Sequence, residues 1–311
     1  MIQADKLSRL YGEKYAVRDL SFHINHGEVM GLLGPNGAGK STTMKMLTCF
    51  LPPSSGTATV DGIDVQQDLD VRRRVGYLPE HAPSYSDLSV QEHLLFMGRM
   101  YGVPEATLKD KIHEMAGACG LEGRLSQRID ELSKGYRQRV GLAASMLHNP
   151  DCLILDEPTT GLDPNQMVEI RQLIRRLGEK KTVLLSSHIL SEVDAVCDRM
   201  MIIDSGELRG MGTRDELIAL SSVGLVLDVC MRGDADAVVV QICRQYKGCE
   251  VDRLGLEEGV VKLAFRHSDM TIPLAEAVFA AVVAVGGVLL EMHAQETSLE
   301  DVFHRLTGSD A

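Results

Sequence analysis

The residues Gly34-Pro35-Asn36-Gly37-Ala38-Gly39-Lys40-Ser41-Thr42 join flexible glycines to one lysine and two hydroxyls. A loop of this kind can curl until several backbone N–H groups face one anion, and a helix starting at its end adds the positive pole of its dipole. The run fits G-x-x-x-x-G-K-[ST], and it sits between an apolar run, Glu28 to Leu33, and a helical stretch, Lys40 to Leu51. That strand–loop–helix context is what the motif requires. Lys40 would then reach the β- and γ-phosphates of a nucleotide, and the Ser41 hydroxyl would ligate Mg²⁺. Without its context the same run is only a glycine-rich turn.

A second group lies at Leu153-Ile154-Leu155-Asp156-Glu157, an apolar run that ends in two acids. Carboxylates at the mouth of a buried strand are costly unless cations or water use them. Asp156 suits holding Mg²⁺, directly or from outside its ligand shell, and Glu157 suits a general base that polarises an attacking water. The plain alternative is a solvated acidic turn, and the glycine-rich loop upstream weighs against it.

The elements that must position these groups read as follows. Short strands around Ile2 to Tyr11 and Ala16 to Ile24 suggest an antiparallel β layer, joined by a strand from Thr57 to Asp61. Between Ser89 and Gly120 the period becomes helical. Ser89 and Glu92 make a capping-box pattern, and Leu108, Ile112, Met115 and Cys119 share one face of a helix opened by Pro104. Strands at Cys152 to Leu155, Thr182 to Leu185 and Met200 to Ile203 then alternate with helices at Asn165 to Leu177 and Ser191 to Cys197, which indicates a parallel sheet covered on both faces. A further helix, capped by Thr213 and Glu216, ends near Leu220. Beyond Ser221-Ser222 the order β, α, β-hairpin, α, β is that of a small α+β, ferredoxin-like domain. The expected fold class is therefore α/β: a phosphate-loop NTPase core over residues 1–220, with an antiparallel β subdomain and a helical insertion at about 85–135. A small C-terminal α+β domain follows over 223–311.

Composition removes several other classes. The 311 residues are 44% hydrophobic and 24% charged, a globular balance. A net charge of −12 with no tryptophan argues against nucleic acid as a partner. Seven cysteines without a C-x-x-C pair read as reduced thiols. No basic region followed by an apolar run opens the chain, so no signal peptide is expected. The uncharged stretch Ala277 to Leu290 is shorter than the roughly 20 residues of a membrane span. Gly286-Gly287 divides it into a helix and a strand.

Leu132-Ser133-Lys134-Gly135-Tyr136-Arg137-Gln138, just ahead of the Asp156 strand, resembles the LSGGQ signature of the ABC ATPase family. Further motifs follow in that family's order. Tyr11 resembles the aromatic that stacks on adenine, and Gly76-Tyr77-Leu78-Pro79-Glu80 resembles the Q-loop. Gly161-Leu162-Asp163 is similar to the D-loop, and Ser187-His188 to the switch histidine. The resemblance covers Ile2 to Leu220. It implies ATP and Mg²⁺ as ligands, with Gly34 to Thr42, Tyr11, Ser133, Gly135 and Asp163 contacting nucleotide. It also implies Ser41, Glu80 and Asp156 near the metal, and Glu157, His188, Lys40 and Glu80 in the chemistry.

In that family two ATPase domains pair head to tail, each ATP held between one phosphate loop and the other domain's signature. The residues agree: Ser133 and the Gly135 amide form an anion site with no lysine or acid of its own. The implied partners are a second copy or related ATPase subunit and a separately encoded membrane permease. The implied location is the cytoplasm, on the inner face of the membrane through that permease. Glu80 stands where the family usually has glutamine, and Lys134 and Tyr136 stand where it has glycine and glutamine. The signature and the ending Ser298-Leu299-Glu300-Asp301-Val302-Phe303 resemble drug-export and gliding-motility type subunits. The alternative is an ABC ATPase that acts on a macromolecular complex rather than in transport; the paired cassettes or long coiled coils of such proteins are missing from this sequence.

Overall fold

The computed structural model describes all residues except 67–69, 83, 221–224, 258, 268, 270–271, 296–297 and 309–311. The expected linker at Ser221-Ser222 lies outside the described residues. The chain divides into two compact units, Met1–Arg214 with Leu306–Ala311, and Asp215–Arg305.

The first unit opens with β1 (Ile2–Tyr11) and β2 (Lys14–Ile24), an antiparallel pair. In β2, Leu20, Phe22 and Ile24 alternate inward, as period-two patterning demands. β3 (Val29–Leu33) is buried at every position, and α1 (Lys40–Leu47) follows the glycine loop. The helix is shorter than expected because the chain turns at Cys49, whose φ of 57° is left-handed and closes the helix before Pro52-Pro53. β4 (Ser55–Val60) and β5 (Ile63–Asp64) complete a four-stranded sheet in the order β2-β1-β4-β5.

α2 (Val71–Arg74) leads into β6 (Val75–Leu78), a four-residue strand that carried no alternation to betray it. The helical insertion then comprises α3 (Val90–Met100) and α4 (Glu105–Cys119), and α5 (Lys134–Met146) follows it. On α4 the buried face is Leu108, Ile112, Ala116 and Cys119. Met115 is only half-buried, because the residue four beyond Ile112 is Ala116.

The core continues with β7 (Cys152–Leu155), α6 (Pro164–Gly178), β8 (Thr182–Ser187), α7 (Leu190–Asp194), β9 (Arg199–Asp204) and β10 (Glu207–Gly212), while α8 (Arg214–Leu220) belongs from Asp215 onward to the second unit rather than to the core. Its six strands run β10-β9-β3-β8-β7-β6. Five are parallel. β10 is an antiparallel edge that corrects the all-parallel expectation; Ser205 and Gly206 both take positive φ, 53° and 83°, and fold it back as a hairpin. The central strands β3, β7 and β8 are wholly buried, and Met30, Leu32, Ile154 and Leu184 join Met44 and Leu47 of α1 in one core.

The second unit contains β11 (Leu225–Arg232), α9 (Ala235–Gln245), β12 (Glu250–Glu257), β13 (Val260–His267), α10 (Leu274–Ala284), β14 (Val288–Gln295) and α11 (Leu299–Leu306). The sheet is antiparallel in the order β12-β13-β11-β14, the ferredoxin-like arrangement. Leu227, Val229, Leu263 and Phe265 meet Val238, Ile242, Val278 and Val282 of the helices in its own core. The uncharged stretch resolves into α10, a turn at Gly286 with φ 70°, and β14. Among the described residues no helix is long and apolar enough to cross a membrane.

α3 begins with a complete capping box. The Ser89 hydroxyl accepts from the Glu92 amide at 3.2 Å, and the Ser89 amide donates to the Glu92 carboxylate at 2.8 Å. Ser89→Ala is expected to destabilise the first unit by about 1 kcal/mol, read from chemical denaturation. Hydrogen bonds from the Ser89 amide and hydroxyl hold the Glu92 carboxyl below its ordinary range. Its contribution is therefore complete above the unfolded carboxylate pKa and is lost as pH falls through the lower, folded value. The gap between wild type and Ser89→Ala should narrow over that acid window.

Candidate nucleotide site

β3, β8 and β7 lie side by side and parallel, so the segments leaving their carboxyl ends are neighbours. Ligands collect at that edge of a parallel sheet. β3 delivers the glycine loop, β7 delivers Asp156-Glu157, and β8 delivers His188. Gly39 is the residue that lets the loop enter α1. Its φ is 105°, and a Cβ there would lie 2.5 Å from the Ala16 carbonyl oxygen, so both the backbone angle and the packing demand glycine.

Lys40 is buried. Its ammonium donates to the carbonyls of Gly34 at 2.7 Å and Pro35 at 3.2 Å, and stands 3.7 Å from Glu157 Oε1. Burial pushes its pKa below the ordinary lysine value, and Glu157 and Asp156 oppose that shift. The Ser41 hydroxyl donates to Asp156 Oδ1 at 3.2 Å, and Ser186 donates to the same oxygen at 2.7 Å. Ser186 also accepts from the Glu157 amide at 2.9 Å, so one hydroxyl holds the Asp156 carboxylate and the Glu157 backbone.

Glu157 adopts a left-handed φ of 49°, rare for a residue with a side chain and tolerated where the surroundings hold it. Its Oε2 lies 2.9 Å from His188 Nδ1 and accepts from the Thr160 hydroxyl at 3.1 Å. Together these groups border a cavity of about 430 Å³ that Asn36, Gly37, Gly39, Ser41, Thr42 and Glu80 also line.

The phosphate loop, Glu80, Glu157 and His188 thus converge on one cavity, with Asp156 beneath it. Tyr11 does not line it: the ring is half-exposed, with the Arg9 guanidinium 4.9 Å from its centroid. Ser133, Gly135 and Asp163 do not line it either. They gather where α5 and α6 begin. Ser133 caps α5, accepting from the Tyr136 amide, and Asp163 caps α6, accepting from the Gln166 amide at 2.9 Å. A Cβ on Gly135 would run into the Gln166 carboxamide, so the glycine leaves the space that this side chain of α6 occupies.

Thr160 and Ser186 are parts of the site that pattern reading passed over. Each is a hydroxyl close in sequence to a residue already singled out, Thr160 to Glu157 and Ser186 to His188. That adjacency is the signal that could have found them.

Residues 17–160 match the model of the ABC transporter family. The chain is 34% identical over 311 residues to the linearmycin resistance ATP-binding protein LnrL of Bacillus subtilis (strain 168), covering 99% of this chain and 98% of that one. It is 31% identical over 320 residues to the Nod factor export ATP-binding protein I of Cupriavidus pinatubonensis, covering 100% and 91%. A bacterial ABC transporter cassette solved as a dimer superposes with a TM-score of 0.63 at 25% identity, covering 68% of this chain and 98% of that one. The ordered motifs, the shared cavity and these likenesses lead to one conclusion: the chain belongs to the ABC transporter ATP-binding proteins and is an ATPase subunit of such a transporter.

Proposed function

We propose that this subunit powers export through a separately encoded permease by closing on a second ATPase subunit, and that Glu157 is the base that activates water. The observation that carries the chemistry is the buried Glu157 carboxylate, held by His188 and Thr160 beside Lys40 at the carboxyl end of the sheet. ATP would lay its phosphates along the Gly34 to Thr42 loop, with backbone amides and the α1 N-terminus against the negative charge. Lys40 meets the β- and γ-phosphates. Tyr11 packs against the adenine. His188 orients Glu157 and the γ-phosphate.

The donor set fits Mg²⁺: Ser41 Oγ and Asp156 Oδ1 are oxygens 3.2 Å apart, and Glu80 brings a third oxygen group to the rim. When bound, the ion would neutralise charge that develops between the phosphates. The chain's own residues supply the remainder, holding the ion's ligands and removing the water proton.

Cassettes of this family dimerise and work with membrane permeases. Ser133, Gly135 and Asp163 lie away from the chain's own cavity, which supports their action on ATP held by the opposite subunit. Export is the direction we infer, in keeping with the Nod factor export relative. The proposed location is accordingly the inner face of the membrane.

The permease contact is proposed for the groove of about 430 Å³ between the core and the helical insertion, bordered by Phe50, Tyr77, His81, His93, Met97 and Tyr101. Phe50 is largely exposed there, and Tyr85, Phe96 and Met100 expose further apolar surface on the same insertion.

Glu157→Gln is expected to keep ATP binding and slow hydrolysis by about 10²-fold or more, whereas Lys40→Ala weakens nucleotide binding itself. Turnover and affinity measured side by side decide this, and near wild-type turnover in Glu157→Gln removes it from the base role. In Glu157→Gln, ATP should also trap a dimer that Ser133→Arg abolishes while leaving single-chain ATP binding intact. Sedimentation with and without ATP reads the difference. Charge substitutions at Tyr85, Phe96 and Met100 should uncouple transport without abolishing the isolated subunit's hydrolysis; unchanged co-purification with the permease and unchanged transport would discard that surface.

A further inference from the structure

Glu192 lies outside the cavity, yet its side chain is only 4% exposed. One oxygen, Oε2, accepts from the Thr159 hydroxyl at 2.7 Å and from the Ser187 hydroxyl at 2.8 Å. Ser187 in turn accepts from the Ile189 amide at 3.0 Å, so its two bonds bracket His188 along the chain. The other oxygen, Oε1, faces the Arg171 guanidinium of α6 at 3.7 Å and makes no hydrogen bond among the described residues. A buried carboxylate is costly unless charge and donors compensate it, and hydroxyls given to a carboxylate bind it strongly. Glu192 therefore gives one shared partner to three segments, two of which leave neighbouring strands of the sheet. Thr159 follows Glu157 by two residues, Ser187 precedes His188 by one, and Arg171 belongs to the helix that Asp163 caps.

We propose that Glu192 is a positioning residue that sets the contact between Glu157 and His188, and that Arg171 ties the α6 helix into the same unit. The cavity-facing bond between Glu157 and His188 is 2.9 Å long and spans two different strand exits, β7 and β8. Beyond the β7–β8 ladder, which ends with Leu155 opposite Leu185, that bond and Ser186 are the cavity-side links between those exits among the described residues. On the opposite side they share the Glu192 carboxylate. Loss of that carboxylate frees the exits to separate, and a displacement of about 1 Å at a reacting group is enough to cost about 10²-fold in rate. ATP binding should be spared, because the loop, Lys40 and Ser41 belong to β3 and α1.

The inference rests on the roles given above to Glu157 and His188, and the test separates the two. Single-turnover hydrolysis, ATP affinity and thermal unfolding are measured on the full chain for Glu192→Ala, Glu192→Gln, His188→Ala and the double variant Glu192→Ala/His188→Ala. Glu192→Ala should slow hydrolysis by about 10-fold or more with ATP affinity within about twofold of wild type. Glu192→Gln has the same size and keeps an acceptor oxygen for both hydroxyls, so it should recover most of the rate. With His188 already removed, Glu192→Ala should cost little more, because both act through one contact. Two slow single variants whose effects multiply in the double variant would overturn the Glu192 role and leave that of His188 standing. Fast hydrolysis by His188→Ala would overturn both. A Glu192→Ala rate that falls only in step with ATP affinity and melting temperature, with no recovery in Glu192→Gln, would reduce Glu192 to a folding residue and overturn the proposal.

Discussion

The structure turns on keeping one ammonium and two carboxylates buried within a few ångströms of each other at the end of a parallel sheet. Lys40 alone would be expelled or neutralised by that environment, and burial does lower its pKa. Asp156 and Glu157 oppose that shift, and they are themselves tolerated because hydroxyls from Ser41, Ser186 and Thr160 donate to them. The three strands that deliver these groups have to be adjacent, which requires β8 to lie between β3 and β7 although it follows both in sequence. The crossover helices, the wholly apolar strands and the left-handed residue at Glu157 all serve that adjacency.

Much of this could be read from the sequence because phosphate chemistry leaves dense local traces. Gly34 to Thr42 specify a turn, an anion cradle and a helix start within nine residues, and Leu153 to Glu157 specify a buried strand with acids at its mouth. Capping at Ser89 was equally visible, since both partners of the box lie within four residues. The ferredoxin-like order of the second unit followed from element order, as each strand and helix there is long enough to show its period.

Features set by distant contacts were harder to see. β6 is too short to alternate, and it is a strand because β7 pairs with it in parallel, Val75 opposite Cys152. β10 runs antiparallel because of a two-residue turn at Ser205-Gly206 that could equally have ended the sheet. Glu192 was lost among the polar residues of a short helix. Its importance comes from Thr159 and Ser187, and Thr159 lies thirty-three positions away along the chain. Tyr11 shows the opposite case: its place in motif order was plain, while its half-exposed ring stands off the cavity lining.

The two helix starts at α5 and α6 carry a mechanical consequence. Gln166 fills the space a side chain on Gly135 would need, and Lys134 does the same at Gly161, where an added Cβ would meet its ammonium at 2.1 Å. In both cases the blocking atoms are the far ends of flexible side chains, so a side chain added at either position would first displace Gln166 or Lys134 rather than part the two helix starts. The small residues at 135 and 161 leave room for two long polar side chains to fold across the gap, and the joint between the segments is therefore a compliant one.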